Sequence, residues 1–212
     1  NFSKLKSKNL FNLLKIKLDL SKEKNLNLLI NKISHLKKID GVVYCLYPKT
    51  KSWGSNFEKI NEKHIKENLY YQLGLPILFL KTIYKFLIKK KIKSSIVMMS
   101  SIQGVRAPKF HHYKNLNMSS PIEYSASKAG IISITGYLAK YIKNRNLRIN
   151  CISPGGILDN QKKEFIRRYK KECISKGLLD AKDLCKTINF LISEESFYIR
   201  GQNIVIDDGW SL

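Results

Sequence analysis

The chain has 212 residues, 43% of them hydrophobic, which suits one globular domain with a buried core. No run of about 18 uncharged apolar residues marks a membrane span, and the start, Asn1-Phe2-Ser3-Lys4, has no signal-peptide pattern. The net charge of +23 invites a nucleic-acid partner, but the lysines lie in every segment, only six basic residues are Arg, and no nucleic-acid motif accompanies them. Solvated surface lysine is therefore the reading, with a basic nucleic-acid-binding module as the alternative. Cys45, Cys151, Cys173 and Cys185 form no Cys-x-x-Cys or Cys/His cluster. They read as reduced thiols of a cytoplasmic protein, and no metal site is expected.

In chain order, 2–10 reads as the tail of a helix, and Leu13-Leu14-Lys15-Ile16-Lys17-Leu18 as the first strong strand. Asp19 closes that strand, and Ser21 is expected to cap a helix running to about His35. Val42-Val43-Tyr44-Cys45-Leu46 is a short apolar strand, followed by a polar loop with Pro48, Trp53 and Gly54. Helical periodicity runs over 61–91, bent near Gly74 and Pro76. A buried strand at 95–99 follows, then an irregular stretch over 102–121. A helix from Ile122 or Glu123, a strand at 148–152, two short helices near 161–175 and 181–192, and a terminal strand complete the chain. Strands alternating with helices imply a mostly parallel, doubly wound α/β sheet. Neither an internal repeat nor a linker to a second domain interrupts 1–212.

The chemistry sits in Tyr124-Ser125-Ala126-Ser127-Lys128. On a helix, Tyr124 and Lys128 are four residues apart and share a face. A phenol is a weak acid-base catalyst near neutral pH, and an adjacent ammonium favours its ionised form. That pair suits proton exchange with an alcohol or ketone during hydride transfer. The pattern alone is weak: about one or two chance matches are expected in so lysine-rich a chain, and Tyr47 and Lys51 also match.

Its surroundings resemble the short-chain dehydrogenase/reductase family. Ser95-Ile96-Val97-Met98-Met99-Ser100-Ser101 with Gly104 lies upstream, Arg148-Ile149-Asn150-Cys151-Ile152-Ser153-Pro154-Gly155-Gly156 downstream, and Gly201-Gln202-Asn203-Ile204-Val205-Ile206-Asp207-Asp208-Gly209 near the end. These motifs occur in the family's order, and the resemblance covers about residues 13 to 212. It implies a Rossmann-like fold and an NAD(P)-dependent alcohol/ketone oxidoreductase. Tyr124 would be the acid/base, with Lys128 lowering its pKa and binding the nicotinamide ribose. Ser101 would orient the substrate oxygen, with Ser100 as the alternative if the register slips by one. Asn68 would complete the relay if the alignment shifts by two. Pro154, Gly155 and Ile157 would flank the nicotinamide, and Asp19 would lie near the adenine or act only as a helix-entry residue. The family's long helices imply a homo-oligomer, a dimer or a tetramer.

The sequence departs from the family in several places. No Gly precedes Gly41, so the chain reads as N-terminally incomplete, lacking the first strand, Gly-rich turn, first helix and second strand. In the family's strand order, 3-2-1-4-5-6-7, the two absent strands would separate 13–18 from 42–46. The 13–18 strand is then expected either to pair directly with 42–46 or to sit loosely, and the chain by itself to bind NAD or NADP negligibly. An inactive remnant that keeps the fold but not the cofactor site is the alternative to an active enzyme. Tyr44-Cys45-Leu46-Tyr47 stands where the family has Asn-Asn-Ala-Gly, and Asp159 where it has Thr. The residue that selects NAD or NADP would follow the missing second strand, so that choice is not legible.

The 102–121 stretch is longer than the family's and carries Arg106, Lys109, His111 and His112. These either meet an anionic sugar nucleotide or form a solvated basic loop. Gly104-Val105-Arg106-Ala107-Pro108-Lys109-Phe110 and Ser153-Pro154-Gly155-Gly156-Ile157-Leu158-Asp159-Asn160 resemble flagellin-modification oxidoreductases of nonulosonic-acid pathways. That resemblance implies an activated sugar as substrate, in bacterial surface-glycan or flagellin modification.

Overall fold

The computed structural model describes residues 14–212. Four strands, β1 (Gly41–Tyr44), β2 (Ser94–Met99), β3 (Leu147–Pro154) and β4 (Asn203–Ile206), form one parallel sheet in the order β1-β2-β3-β4. Among the described residues, six α-helices surround it: α1 (Glu23–Ile33), α2 (Glu62–Leu69), α3 (Leu75–Lys89), α4 (Ile122–Tyr141), α5 (Lys163–Lys170) and α6 (Cys185–Ile192). This is the parallel α/β architecture that the alternation of elements predicts and the Rossmann-like fold that the resemblance implies.

β2 and β3 are almost wholly buried, as central strands of a sheet covered on both faces must be. Alternate residues go to opposite sides. Ile96, Met98, Ile149 and Cys151 pack with Leu26, Phe79, Ile83 and Ile131 of α1, α3 and α4, while Val97 and Ile152 pack with Leu184 and Leu191 at α6. Polar side chains on that second face reach backbone carbonyls of α6 and the segment after it. Ser95 Oγ donates to Leu191 O at 2.6 Å, Arg148 Nη2 to Ile192 O at 2.9 Å, and Asn150 Nδ2 to Ile199 O at 2.8 Å. Buried polar groups left unpaired would cost far more than such bonds contribute.

The expected bend in 61–91 is a widened turn over Tyr70–Gly74, where Leu75 N–H reaches back to Tyr70 O. Pro76 follows directly on the widened turn, where the helical ladder is already displaced by one residue and a missing N–H is accommodated. Asn61 caps α2, its Oδ1 accepting His64 N–H at 3.1 Å.

Two expectations fail near the start. Leu13 lies outside the described residues, and 14–18 forms no strand; β1 pairs only with β2, Gly41 opposite Ser95 through Tyr44 opposite Met98. Of the two outcomes expected for this segment, the described part takes the second, outside the sheet. A strand cannot stand alone, because its N–H and C=O groups need a neighbour. Ser21 does not cap α1, which starts at Glu23 after Lys22 without a side-chain cap. Instead, Asp19 Oδ1 accepts Ser21 Oγ–H at 2.6 Å and Ser21 N–H at 3.1 Å, and Asp19 O accepts Asn25 Nδ2–H at 2.7 Å.

Candidate active site

The carboxyl ends of β2 and β3 open into a cavity of ≈480 Å³ that Ser101, Tyr124, Lys128, Pro154, Gly155 and Ile157 all border. Pro121, with φ −69° and ψ 145°, starts α4 and so aims Tyr124 and Lys128 together into this space. Gly104 lets the 102–104 turn lie against α4: a Cβ there would stand 2.6 Å from the Lys128 carbonyl carbon. The two serines after β2 separate cleanly. Both border the cavity, but Ser100 Oγ donates to Lys128 O at 2.7 Å and is committed to holding the helix, whereas Ser101 hydrogen-bonds the Tyr124 phenol.

Lys128 is 8% exposed and its Nζ donates to Met99 O at 3.1 Å. Burial brings its pKa down to about 8, with the Cys151 and Cys45 thiols opposing the fall. The same burial pushes the Tyr124 phenol above its ordinary value, against a hydrogen bond from Ser101 that pulls it down. The expectation that Lys128 lowers the Tyr124 pKa is therefore corrected for the chain alone: desolvation is the largest influence on the phenol and raises it, and the one group that pulls it down is Ser101. Lys128 Nζ stands 5.5 Å from the Tyr124 ring centre and 5.6 Å from that of Tyr47. At those distances it faces ring electrons rather than the phenolic oxygen.

Aromatic side chains that the sequence did not single out as site residues close around this pair. Tyr47 and Trp53 meet the Tyr124 ring edge-on, with centres 5.7 Å and 6.0 Å away. Across the cavity, Trp210 stacks on Tyr169 at 5.6 Å and 10°, and Tyr169 Oη accepts Gly156 N–H at 2.6 Å. Gln103, donating to Tyr113 Oη at 3.2 Å and accepting Ser120 Oγ–H at 2.5 Å, supplies a neutral polar wall. Tyr47 appears in the sequence only as a chance Tyr-x-x-x-Lys match, and nothing local marks Trp53, Tyr169 or Trp210.

Other expected site residues lie elsewhere. Asp19 is spent on the entry to α1 and does not border the cavity. Lys109 Nζ donates to Glu172 Oε2 at 2.8 Å, and His111 Nε2 lies 3.0 Å from Oε1 of the same carboxylate. His112 is buried against Tyr169 and Trp210, and burial pushes its pKa down to about 4. Arg168 Nη1 adds donations to Lys114 O at 2.6 Å and His111 O at 3.1 Å. Lys109, His111 and His112 therefore fasten the long loop to the α5 region instead of facing the catalytic cavity. Arg106 borders a neighbouring cavity.

Asn68 is fully buried outside the cavity walls, accepting Thr50 Oγ1–H at 2.5 Å and donating to Glu123 Oε1 at 2.9 Å. It thus anchors the residue preceding Tyr124. Asn68→Ala would leave the buried Glu123 carboxylate without its donor and is expected to cost about 1–3 kcal/mol, measured by denaturant unfolding. An unchanged midpoint would remove this anchoring role.

The residues present fit the nicotinamide half of a dinucleotide, since Tyr124, Lys128 and 154–157 share one cavity, and the glycines let the 154–157 turn pack closely beneath it. A Cβ at Gly155 would stand 3.0 Å from both Asp207 Cα and Tyr169 Oη.

Comparison with known proteins gives a consistent picture. A family model described as enoyl-(acyl carrier protein) reductase matches residues 3–211. Post-translational flagellin modification protein A of Campylobacter coli is 44% identical over 202 residues, covering 94% of this chain and 78% of that protein. A 7alpha-hydroxysteroid dehydrogenase of Bacteroides fragilis is 29% identical over 163 residues, and the match spans 59% of its length. The crystal structure of a short chain dehydrogenase from Leptospira borgpetersenii, with bound NAD+, superposes with a TM-score of 0.83 at 30% identity, over 93% of this chain and 75% of that one.

Proposed function

Because this chain belongs to the short-chain dehydrogenase/reductase family, we propose that it interconverts an alcohol and a ketone on an activated sugar, with NAD or NADP, in bacterial surface-glycan or flagellin modification. The observation that carries this reading is the convergence of Ser101, Tyr124 and Lys128 with 154–157 on one cavity. The flagellin-modification relative at 44% identity supports the setting in flagellin modification.

In this reading the nicotinamide, when bound, supplies or accepts the hydride. Ser101 Oγ–H holds the substrate oxygen, and Tyr124 Oη gives that oxygen a proton during reduction or takes one during oxidation. A buried phenol with a raised pKa keeps its proton near neutral pH, which suits donation to a forming alkoxide. Lys128 grips the ribose hydroxyls, and Pro154, Gly155 and Ile157 border the ring.

The enzyme would work in the cytoplasm, and among the described residues no helix is long and apolar enough to cross a membrane. Exposed Tyr137 and Tyr141 on α4, stacked at 6.1 Å, and exposed Ile77 on α3 would face a second copy in a homo-oligomer.

The test supplies NAD+ or NADP+ in large excess with UDP-N-acetylglucosamine, cholate or a 3-hydroxyacyl thioester, and follows nicotinamide absorbance. Turnover of the nucleotide sugar is expected. Turnover confined to cholate or the thioester would replace the sugar, and none with any of the three in folded protein would overturn the oxidoreductase reading.

A further inference from the structure

Resting on that reading of the catalytic cavity, we propose that the far end of the substrate, an apolar or flat aromatic group bearing one anionic group, occupies a second cavity beside it. This space, of ≈850 Å³, lies between the 55–58 segment, the 103–110 turn and the exposed side of α4. Gln103, Tyr113, Met118 and Ser119 border both cavities, so one ligand can reach from Tyr124 into the second without leaving a continuous wall.

The chemistry of the walls selects the ligand. Phe57 and Phe110, each 66% exposed, come from separate segments yet border the same space, with Pro108 and the half-exposed Ile122. A single exposed phenyl ring needs no explanation. Two around one cavity, joined by Ile122, make an apolar surface that a flat ring or an aliphatic group would cover.

Arg106 borders this cavity, and its guanidinium makes no hydrogen bond or ion pair with any described residue, unlike the Lys109 ammonium, which Glu172 holds. Glu58 borders it as well and is not paired with Arg106. One cation on this rim suits an anionic group placed against the guanidinium. A planar guanidinium also matches a carboxylate, sulfonate or phosphate by two parallel bonds.

A nucleotide's base and phosphate would meet this description, as would an apolar acid. The dye 1-anilinonaphthalene-8-sulfonate carries the shared chemistry and reports binding by fluorescence. It is expected to bind the folded chain. Arg106→Gln should weaken the dye on the order of fivefold, by loss of an exposed charge pair, and Phe110→Ala by a similar factor, by loss of apolar contact. Both variants must keep the wild-type denaturation midpoint, so that dye binding to unfolded protein is set aside. Displacement by UMP would assign the base and phosphate; displacement by cholate would assign an apolar acid. Displacement by neither, or unchanged affinity in Arg106→Gln, would overturn the proposal. So would a dimer that leaves the dye unbound, since a second copy would then fill the space. No turnover is read here, so this failure leaves the oxidoreductase reading standing; a chain that binds the dye as expected yet turns over nothing would sink that reading alone.

Discussion

Replacing Tyr124 by Phe is expected to cut turnover at least about 10²-fold, the usual scale for a positioned acid-base group. The ring that Tyr47 and Trp53 meet edge-on survives the change, so α4 and the cavity wall should keep their shape. Only the hydroxyl beside Ser101 is lost. Near-normal denaturation with near-abolished turnover would mark the phenol as the proton carrier. Retained turnover would return Tyr124 to a packing role, and the catalytic proton would have to come from another cavity group, with Tyr47 the first to examine.

The second large effect runs in opposite directions for stability and activity. Lys128 is held at about 8 against an ordinary 10.5, so the unfolded chain binds this proton more firmly than the folded one. The sign follows from linkage: the favourable contribution of Lys128 is fully present above 10.5 and is lost as pH falls through about 8. Near neutral pH the buried ammonium therefore costs stability, on the order of 3 kcal/mol. Lys128→Met, an uncharged chain of similar length, is expected to stabilise the fold by about that amount near neutral pH. The gap between variant and wild type should shrink as pH rises from about 8 toward 10.5. Denaturant unfolding at several pH values measures it, and a gap that does not narrow would mean that Lys128 is better solvated than its 8% exposure implies. The same variant should lose both cofactor affinity and rate, since a destabilising buried charge is kept where function needs it. A pure rate effect would confine Lys128 to tuning the phenol.

What could be read from the sequence was whatever local rules decide. Pro121 followed by an i, i+4 Tyr–Lys pair predicts α4 and the shared face, because helical spacing is a property of neighbouring residues. The apolar runs at 95–99 and 148–152 predict central strands, because a sheet covered on both faces demands continuous hydrophobicity. The family followed from motifs at strand and helix boundaries, where Gly104 and 154–156 meet needs of backbone geometry that few other residues satisfy.

Whatever depends on a distant partner was decided only in three dimensions. The 14–18 run is apolar enough for a strand, but strand formation belongs to a pair, and the only described neighbour of β1 is β2. Lys109 and His111 look like free cations until Glu172, some sixty residues on, takes both. Ser100 and Ser101 are equivalent in sequence, and only the Lys128 carbonyl distinguishes them. The proton affinities of Tyr124 and Lys128 turn on burial: charge proximity on one helix predicts a lowered phenol, and desolvation raises it instead. A spacing rule carries no information about what covers a side chain, and the cost of removing a charge from water is set by that cover.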